Sequence, residues 1–183
     1  PLKSADGDLP AVVQYTQPSA SDRVQTLDGI EIAWQHELSA IPFTDIALDG
    51  FGFIANYTIV NGDATFDNSK ESEAGSQFAL LGLSDSANFI AYYEKNGLSA
   101  RLAWNWRDRF LTYADKTSAY VEDYQQYDLN ISYEIPNTSI TLTYDGINLT
   151  EENRKVFQRN NPTYATFASP GRTRHYLGAR YHF

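Results

Sequence analysis

Connections that alternate strictly between short and long constrain this chain more than any other feature, because few folds require that parity. The connections are visible because the segments between them have a period of two, not 3.6. Leu98 to Phe110 sets Leu98, Ala100, Leu102, Trp104 and Trp106 against Ser99, Arg101, Ala103, Asn105, Arg107 and Arg109. Tyr127–Ile135, Ile140–Asp145 and Ile30–Leu38 repeat the pattern, and Asp45–Val60 and Asn88–Lys95 follow it less cleanly. Ala11–Thr16 is a short further candidate. In the closing stretch, Leu177, Ala179, Tyr181 and Phe183 share one face, and Arg174, Tyr176, Gly178, Arg180 and His182 the other. Ser39–Thr44, Lys95–Gly97 and Pro136–Asn137 read as short turns. Gln17–Thr26, Asn61–Ser86, Thr112–Glu122 and Asn148–Gly171 read as long polar connections.

Long loops are uncommon in compact domains. Outer-membrane barrels require this parity, with short periplasmic turns and long outer loops. The expected fold is therefore all-β: an antiparallel transmembrane β-barrel with aromatics at its interfaces. Aromatic residues make up 14% of the chain, including 13 tyrosines, and many fall near strand ends, where interfacial girdles sit. Two alternatives share the period: a small self-contained outer-membrane barrel with a structural or adhesive role, and a soluble β-sandwich acting as a binding module.

Composition excludes several classes. The net charge of −9 disfavours nucleic acid as a partner. No cysteine is present, so neither a disulfide framework nor a thiolate metal site arises. His36, His175 and His182 lack zinc-like spacing, so no metal and no cofactor is expected. No Ser-His-Asp grouping, phosphate loop or paired-carboxylate site stands out, and no enzymatic activity is expected. The absence of methionine and the start at Pro1 suggest a processed product or a fragment.

Three stretches carry a family resemblance. The tail, Pro170-Gly171-Arg172 through Gly178-Ala179-Arg180-Tyr181-His182-Phe183, resembles the last strand of a TonB-dependent outer-membrane receptor. Tyr144-Asp145-Gly146-Ile147-Asn148-Leu149-Thr150 is similar to that family's penultimate strand and its Asn-Leu corner. Gly82–Asn88, Tyr92–Arg101 and Asn105–Arg107 are similar to the strands between, most of all in the branch found in Caulobacter- and Xanthomonas-like bacteria. The resemblance covers most of the chain from about Leu27 onward.

The resemblance implies a good deal that composition does not. Residues 1–183 would be the C-terminal portion of a 22-stranded barrel, about its last eight strands, with the plug domain and the TonB box absent. The whole receptor would sit in the Gram-negative outer membrane and import a large scarce nutrient, a carbohydrate or a ferric siderophore, with energy from the TonB complex. Leu177, Ala179, Tyr181 and Phe183 would be the signal read by the barrel-assembly machinery. The remaining partners would be outer-membrane lipid and a small-molecule or oligosaccharide ligand. Eight strands cut from such a barrel leave open edges, so this chain alone is not expected to transport.

Two residue sets are the candidate contacts. Arg101, Arg107, Arg109, Arg172, Arg174 and Arg180 would face the lumen. There they meet plug carboxylates or an anionic ligand, or are neutralised by Asp128, Glu134 and Asp145. Tyr113, Tyr120, Tyr124 and Tyr164, in the outer connections, would stack on sugar rings or chelates, or simply be solvated.

Overall fold

A computed structural model describes residues 24–40, 48–63, 66–69, 79–114 and 117–183. The described chain is all-β and antiparallel. Its main sheet has seven strands: β1 (Leu27–Glu37), β2 (Phe51–Gly62), β3 (Ser86–Lys95), β4 (Leu98–Arg107), β7 (Tyr124–Glu134), β8 (Ile140–Ile147) and β11 (Arg174–Tyr181), adjacent in that order. A second sheet has the order β10-β9-β6-β5, from β5 (Phe110–Ala114), β6 (Ser118–Val121), β9 (Arg154–Gln158) and β10 (Ala165–Ser169). One short 3-10 turn, Leu38–Ala40, follows β1. The strand expected at Ala11–Thr16 lies outside the described residues, as does most of the connection Gln17–Thr26.

The pairing registers align the alternation of neighbouring strands. One row across the sheet runs His36, Phe53, Ala91, Leu102, Leu129, Gly146 and His175. A neighbouring row runs Trp34, Ala55, Phe89, Trp104 and Tyr127. Cross-strand partners share a face, so these rows build one continuous apolar surface. Aromatic contacts cross the strands on it: Trp34 meets Phe53 edge-on at 5.3 Å, and Phe51 meets Tyr93 at 4.6 Å. The opposite face carries Asn56, Asn88, Asn105 and Gln126 in one row and Arg101, Asn130, Asp145 and Tyr176 in another.

The register also staggers the strands. The row that starts at His36, one residue from the end of β1, finishes at His175, one residue into β11. It crosses from one rim of the sheet to the other. This drift of about one residue per strand tilts the strands about 35° away from the perpendicular to the rim, taking spacings of about 3.3 Å along and 4.8 Å between strands.

The two kinds of connection segregate by rim. The short turns at Asn96–Gly97 and Pro136–Asn137 lie at one end of the sheet, where Leu98 pairs with Tyr133. Asn96 and Gly97 both have positive φ, 53° and 76°, the geometry of a tight hairpin turn whose twist matches that of its strands. Lys95 Nζ meets Asp49 Oδ2 at 2.8 Å at this rim, and that contact holds the exposed Asp49 carboxyl below its usual range. The connections following β2, β4 and β8 all leave from the other rim, where Arg107 pairs with Tyr124 and Ile147 with Arg174.

Two of those connections are not the irregular loops expected from their polar composition. Thr112–Glu122 contributes to the β5–β6 hairpin, and Asn148–Gly171 contains β9 and β10. These strands are only four or five residues long, too short for a period of two to stand out. They form the second sheet because Leu111, Tyr120 and Phe157 are cross-strand partners, with Phe157 1% exposed and stacked on Tyr120 at 6.1 Å. The segment 66–69 docks there as well: the Asn68 side-chain amide donates to Tyr120 Oη at 3.0 Å, and Ser118 Oγ donates to Asn68 Oδ1.

The sheets do not close into a barrel. Among the described residues, β1 pairs only with β2 and β11 only with β8, leaving two edges. Nor are the sheets stacked face to face as in a sandwich, since the extensive strand contacts all lie within one sheet or the other. Among the described residues nothing covers the apolar face: Trp34 is 62% exposed and Leu177 85%. Most of the buried apolar side chains, Phe66, Leu111, Val121 and Phe157, belong to the second sheet and the segment docked on it; Ile90 lies in the main sheet.

Phe157→Ala should destabilise the second sheet by about 3–5 kcal/mol, the usual cost of emptying a buried phenylalanine site. Limited proteolysis of the folded protein should then cut faster within residues 148–171, with cleavage within β3 and β4 unchanged.

Candidate functional site

The polar face meets the second sheet at the rim, and the junction is organised by Asn148. Asn148 follows β8 with φ of 55°, a left-handed conformation that asparagine tolerates better than most residues. Only 6% exposed, it is hydrogen-bonded on every side. Its backbone N–H donates to Asp128 Oδ1 at 2.8 Å, and its carbonyl accepts from Thr173 Oγ1 at 3.0 Å. Its side-chain Oδ1 accepts from the Glu152 N–H at 2.9 Å, and its Nδ2 donates to the Glu152 carbonyl at 3.1 Å. Leu149 N–H then donates to the Tyr127 carbonyl at 2.8 Å. One residue thus ties β7, β8 and the segment leading into β11 together.

A polar chain continues inward from this corner. Tyr124 Oη donates to Gln126 Oε1 at 2.6 Å, and Gln126 Nε2 donates to both Asp128 oxygens at 2.7 and 2.8 Å. Gly171 closes the other side. A Cβ there would stand 1.7 Å from the Glu152 carbonyl oxygen, so only glycine permits the approach. Between these walls lies a cleft of about 380 Å³, lined by Tyr124, Gln126 and Glu152 and by the arginines Arg154, Arg172 and Arg174.

The six arginines expected in the lumen separate into distinct environments. Arg172 and Arg174 line this cleft. Arg101 lines a second cleft of about 240 Å³ on the polar face with Asp128 and Asp145. Arg107 is tied to the loop before β3: its Nε donates to Ser84 Oγ at 2.8 Å, and its guanidinium lies 3.9 Å from the Phe110 ring centroid. Arg180 faces Thr141 on β8, toward the short-turn rim. Arg109 departs from expectation. The strand breaks before it, where Asp108 N–H donates to the Asp85 carbonyl at 2.9 Å. Arg109 instead packs on Phe157, with its centre 4.9 Å from the ring, and donates to Asn160 Oδ1 at 3.0 Å.

The tyrosines divide too. Tyr113 and Tyr164 are half-exposed in the second sheet and its turn. Tyr120 is a packing residue on Phe157. Tyr124 is not in a loop: it opens β7 and faces the polar side opposite Arg107. Leu177, Ala179 and Tyr181 stand on the apolar face of β11, and Phe183 meets Tyr181 edge-on at 5.0 Å.

Sequence reasoning missed Arg154, Asp128 as the acceptor for Asn148, and the junction itself. The one available signal was the run Tyr144–Thr150, whose Asn-Leu pair marks the corner. Among the described residues, no group of three histidine, aspartate or glutamate side chains is placed to hold a metal. Comparison with family models, with curated proteins and with solved structures returned no match.

Asn148→Ala removes both side-chain bonds and strains the left-handed backbone; a loss of about 2–4 kcal/mol is expected. Asn148→Gly relieves the strain and should lose about half as much. Urea-unfolding midpoints of the two variants, compared with the unsubstituted protein, check this order.

Proposed function

We propose that this chain is the C-terminal part of the barrel of a TonB-dependent outer-membrane receptor, importing a large scarce nutrient, a carbohydrate or a ferric siderophore. The observation that carries this reading is the bare apolar face, continuous over seven strands and backed by a polar face. In water such a surface is a severe liability. Against lipid it is the required exterior of a barrel wall, with the polar side toward the lumen.

Three further features support the reading. The stagger matches the strand tilt of about 35–45° found in barrels. The long connections share one rim, as outer loops do. Aromatics line both rims of the apolar face: Phe51, Tyr93, Tyr133 and Tyr181 at one, and Trp104, Trp106 and Tyr127 toward the other. The open edges at β1 and β11 are where the remaining wall would pair. A sandwich would need the second sheet to cover the apolar face, and that sheet sits at the rim instead.

Uptake tests the proposal. Cells expressing the whole receptor should accumulate its ligand, and deletion of TonB or collapse of the proton gradient should abolish this. Accumulation that survives both treatments refutes the assignment. The face assignment has a separate test. Leu102→Arg, in the middle of the apolar face, should cost about 2–4 kcal/mol of folding stability in lipid. Ser132→Arg, on the polar face, should cost less than about 1 kcal/mol. Equal costs in a bilayer denaturation titration would overturn the orientation.

A further inference from the structure

We infer that the cleft beside Asn148 binds a carboxylate of an acidic, uronate-type oligosaccharide, while the neighbouring row of amides holds hydroxyls of the adjoining sugars. This rests on the receptor reading and names the class of its ligand.

Charge is the first observation. The cleft gathers Arg154, Arg172 and Arg174 against the single carboxylate of Glu152. Among the described residues, none of these three guanidiniums forms an ion pair or donates a hydrogen bond. Arg101, Arg159 and Arg180 likewise form no ion pair among the described residues, so what sets this cleft apart is the gathering of three guanidiniums in one concavity. The other two clefts differ: Arg101 shares its cleft with Asp128 and Asp145, and the cleft at the short-turn rim is lined by Glu37, Asp49 and Glu94. A concentration of unpaired, fork-shaped donors in a concave site suits a carboxylate, which arginine binds bidentately.

The floor of the cleft is the second observation. Tyr124, Gln126 and Asn148 spend their hydrogen bonds on each other, on Asp128 and on the Glu152 backbone. They form a fixed base, while the arginines that line the same cleft remain unengaged. Such a division gives a site whose supporting groups are set before the ligand arrives. Its volume of about 380 Å³ lies within the range for small-ligand sites.

The third observation extends the site into a track. Gln126 ends the polar-face row Asn56, Asn88, Asn105, Gln126, which spans four adjacent strands. At about 4.8 Å per strand the row is about 14 Å long. Amides present both donors and acceptors, which suits the repeated hydroxyls of an extended saccharide. Asn88 Nδ2 donates to Asn105 Oδ1, orienting the pair. A compact iron chelate would have no use for a linear row of neutral amides; an acidic oligosaccharide uses both the row and the cleft.

Direct binding to the whole receptor in detergent tests this without relying on transport. The probes are an oligogalacturonate, a neutral oligosaccharide of equal length, and ferric citrate, each followed by calorimetry. The oligogalacturonate should bind most tightly, and its affinity should fall as salt is raised. Arg172→Gln and Arg174→Gln should each weaken it about tenfold to a hundredfold. Arg174→Lys should recover part of the loss, and Arg159→Gln, in an exposed turn outside the cleft, should change nothing. Asn105→Ala should weaken the oligogalacturonate more than it weakens galacturonate, the single sugar acid, measured alongside. Equal affinity for the neutral sugar, tighter binding of ferric citrate, or indifference to both arginine substitutions would each overturn the inference. Binding that follows this pattern without TonB-dependent uptake would keep the inference and sink the transport reading. Uptake without the pattern would do the reverse.

Discussion

The cross-strand register is the constraint on which the rest of this structure depends. A strand places alternate side chains on opposite faces, so a slip of one residue in any pairing would exchange the faces of everything beyond it. Six pairings in succession keep Trp34, Phe53, Leu102, Leu129 and Leu177 on one side and Asn88, Arg101, Asn130 and Tyr176 on the other. That agreement makes a single apolar surface out of seven half-apolar strands. It also fixes the stagger that tilts the strands against the rim.

Almost none of the usual stabilisation by core burial is available to the main sheet. Its edge strands β1 and β11 are exposed along nearly their whole length. Its order comes from hydrogen-bonded ladders, cross-strand aromatic pairs and tight turns, and its apolar face is largely exposed. The second sheet is the opposite case. It is small, but it buries Phe157 almost completely and gathers side chains from β5, β6, β9 and the segment 66–69. The two sheets meet at Asn148, where a left-handed residue turns the chain and its amide fills the gap. The cleft exists because that corner and Gly171 bring the chain from β9 and the approach to β11 over the polar face.

Much of the main sheet was legible in the sequence. The alternation in β1, β4, β7, β8 and β11 is direct, and the Asn96–Gly97 and Pro136–Asn137 turns mark the hairpins. The second sheet was not legible, since strands of four and five residues are too short for a period of two to stand out in polar surroundings. Arg109 shows the same limit. Its position fits the alternation of β4, but Asp108 binds backbone outside the strand and turns the chain away. The site was half legible. Arg172 and Arg174 stood out as cations on a wet face, whereas Arg154 lay in what reads as loop.

The sequence by itself determined the strands, the division of each into an apolar and a polar side, and the alternation of short and long connections. Those are local consequences of side-chain period and turn chemistry, and they need no knowledge of neighbours. Only the tertiary structure decided which strands pair, in what register and with what stagger, that two connections fold into a sheet of their own, and that three arginines distant in the chain from Tyr124 share one cleft with it. These are matters of long-range contact. In the main sheet they are set by the cross-strand ladders; in the second sheet and the cleft, by the stacking of Phe157 on Tyr120 and the hydrogen bonds of Asn148, which join residues the linear pattern keeps apart.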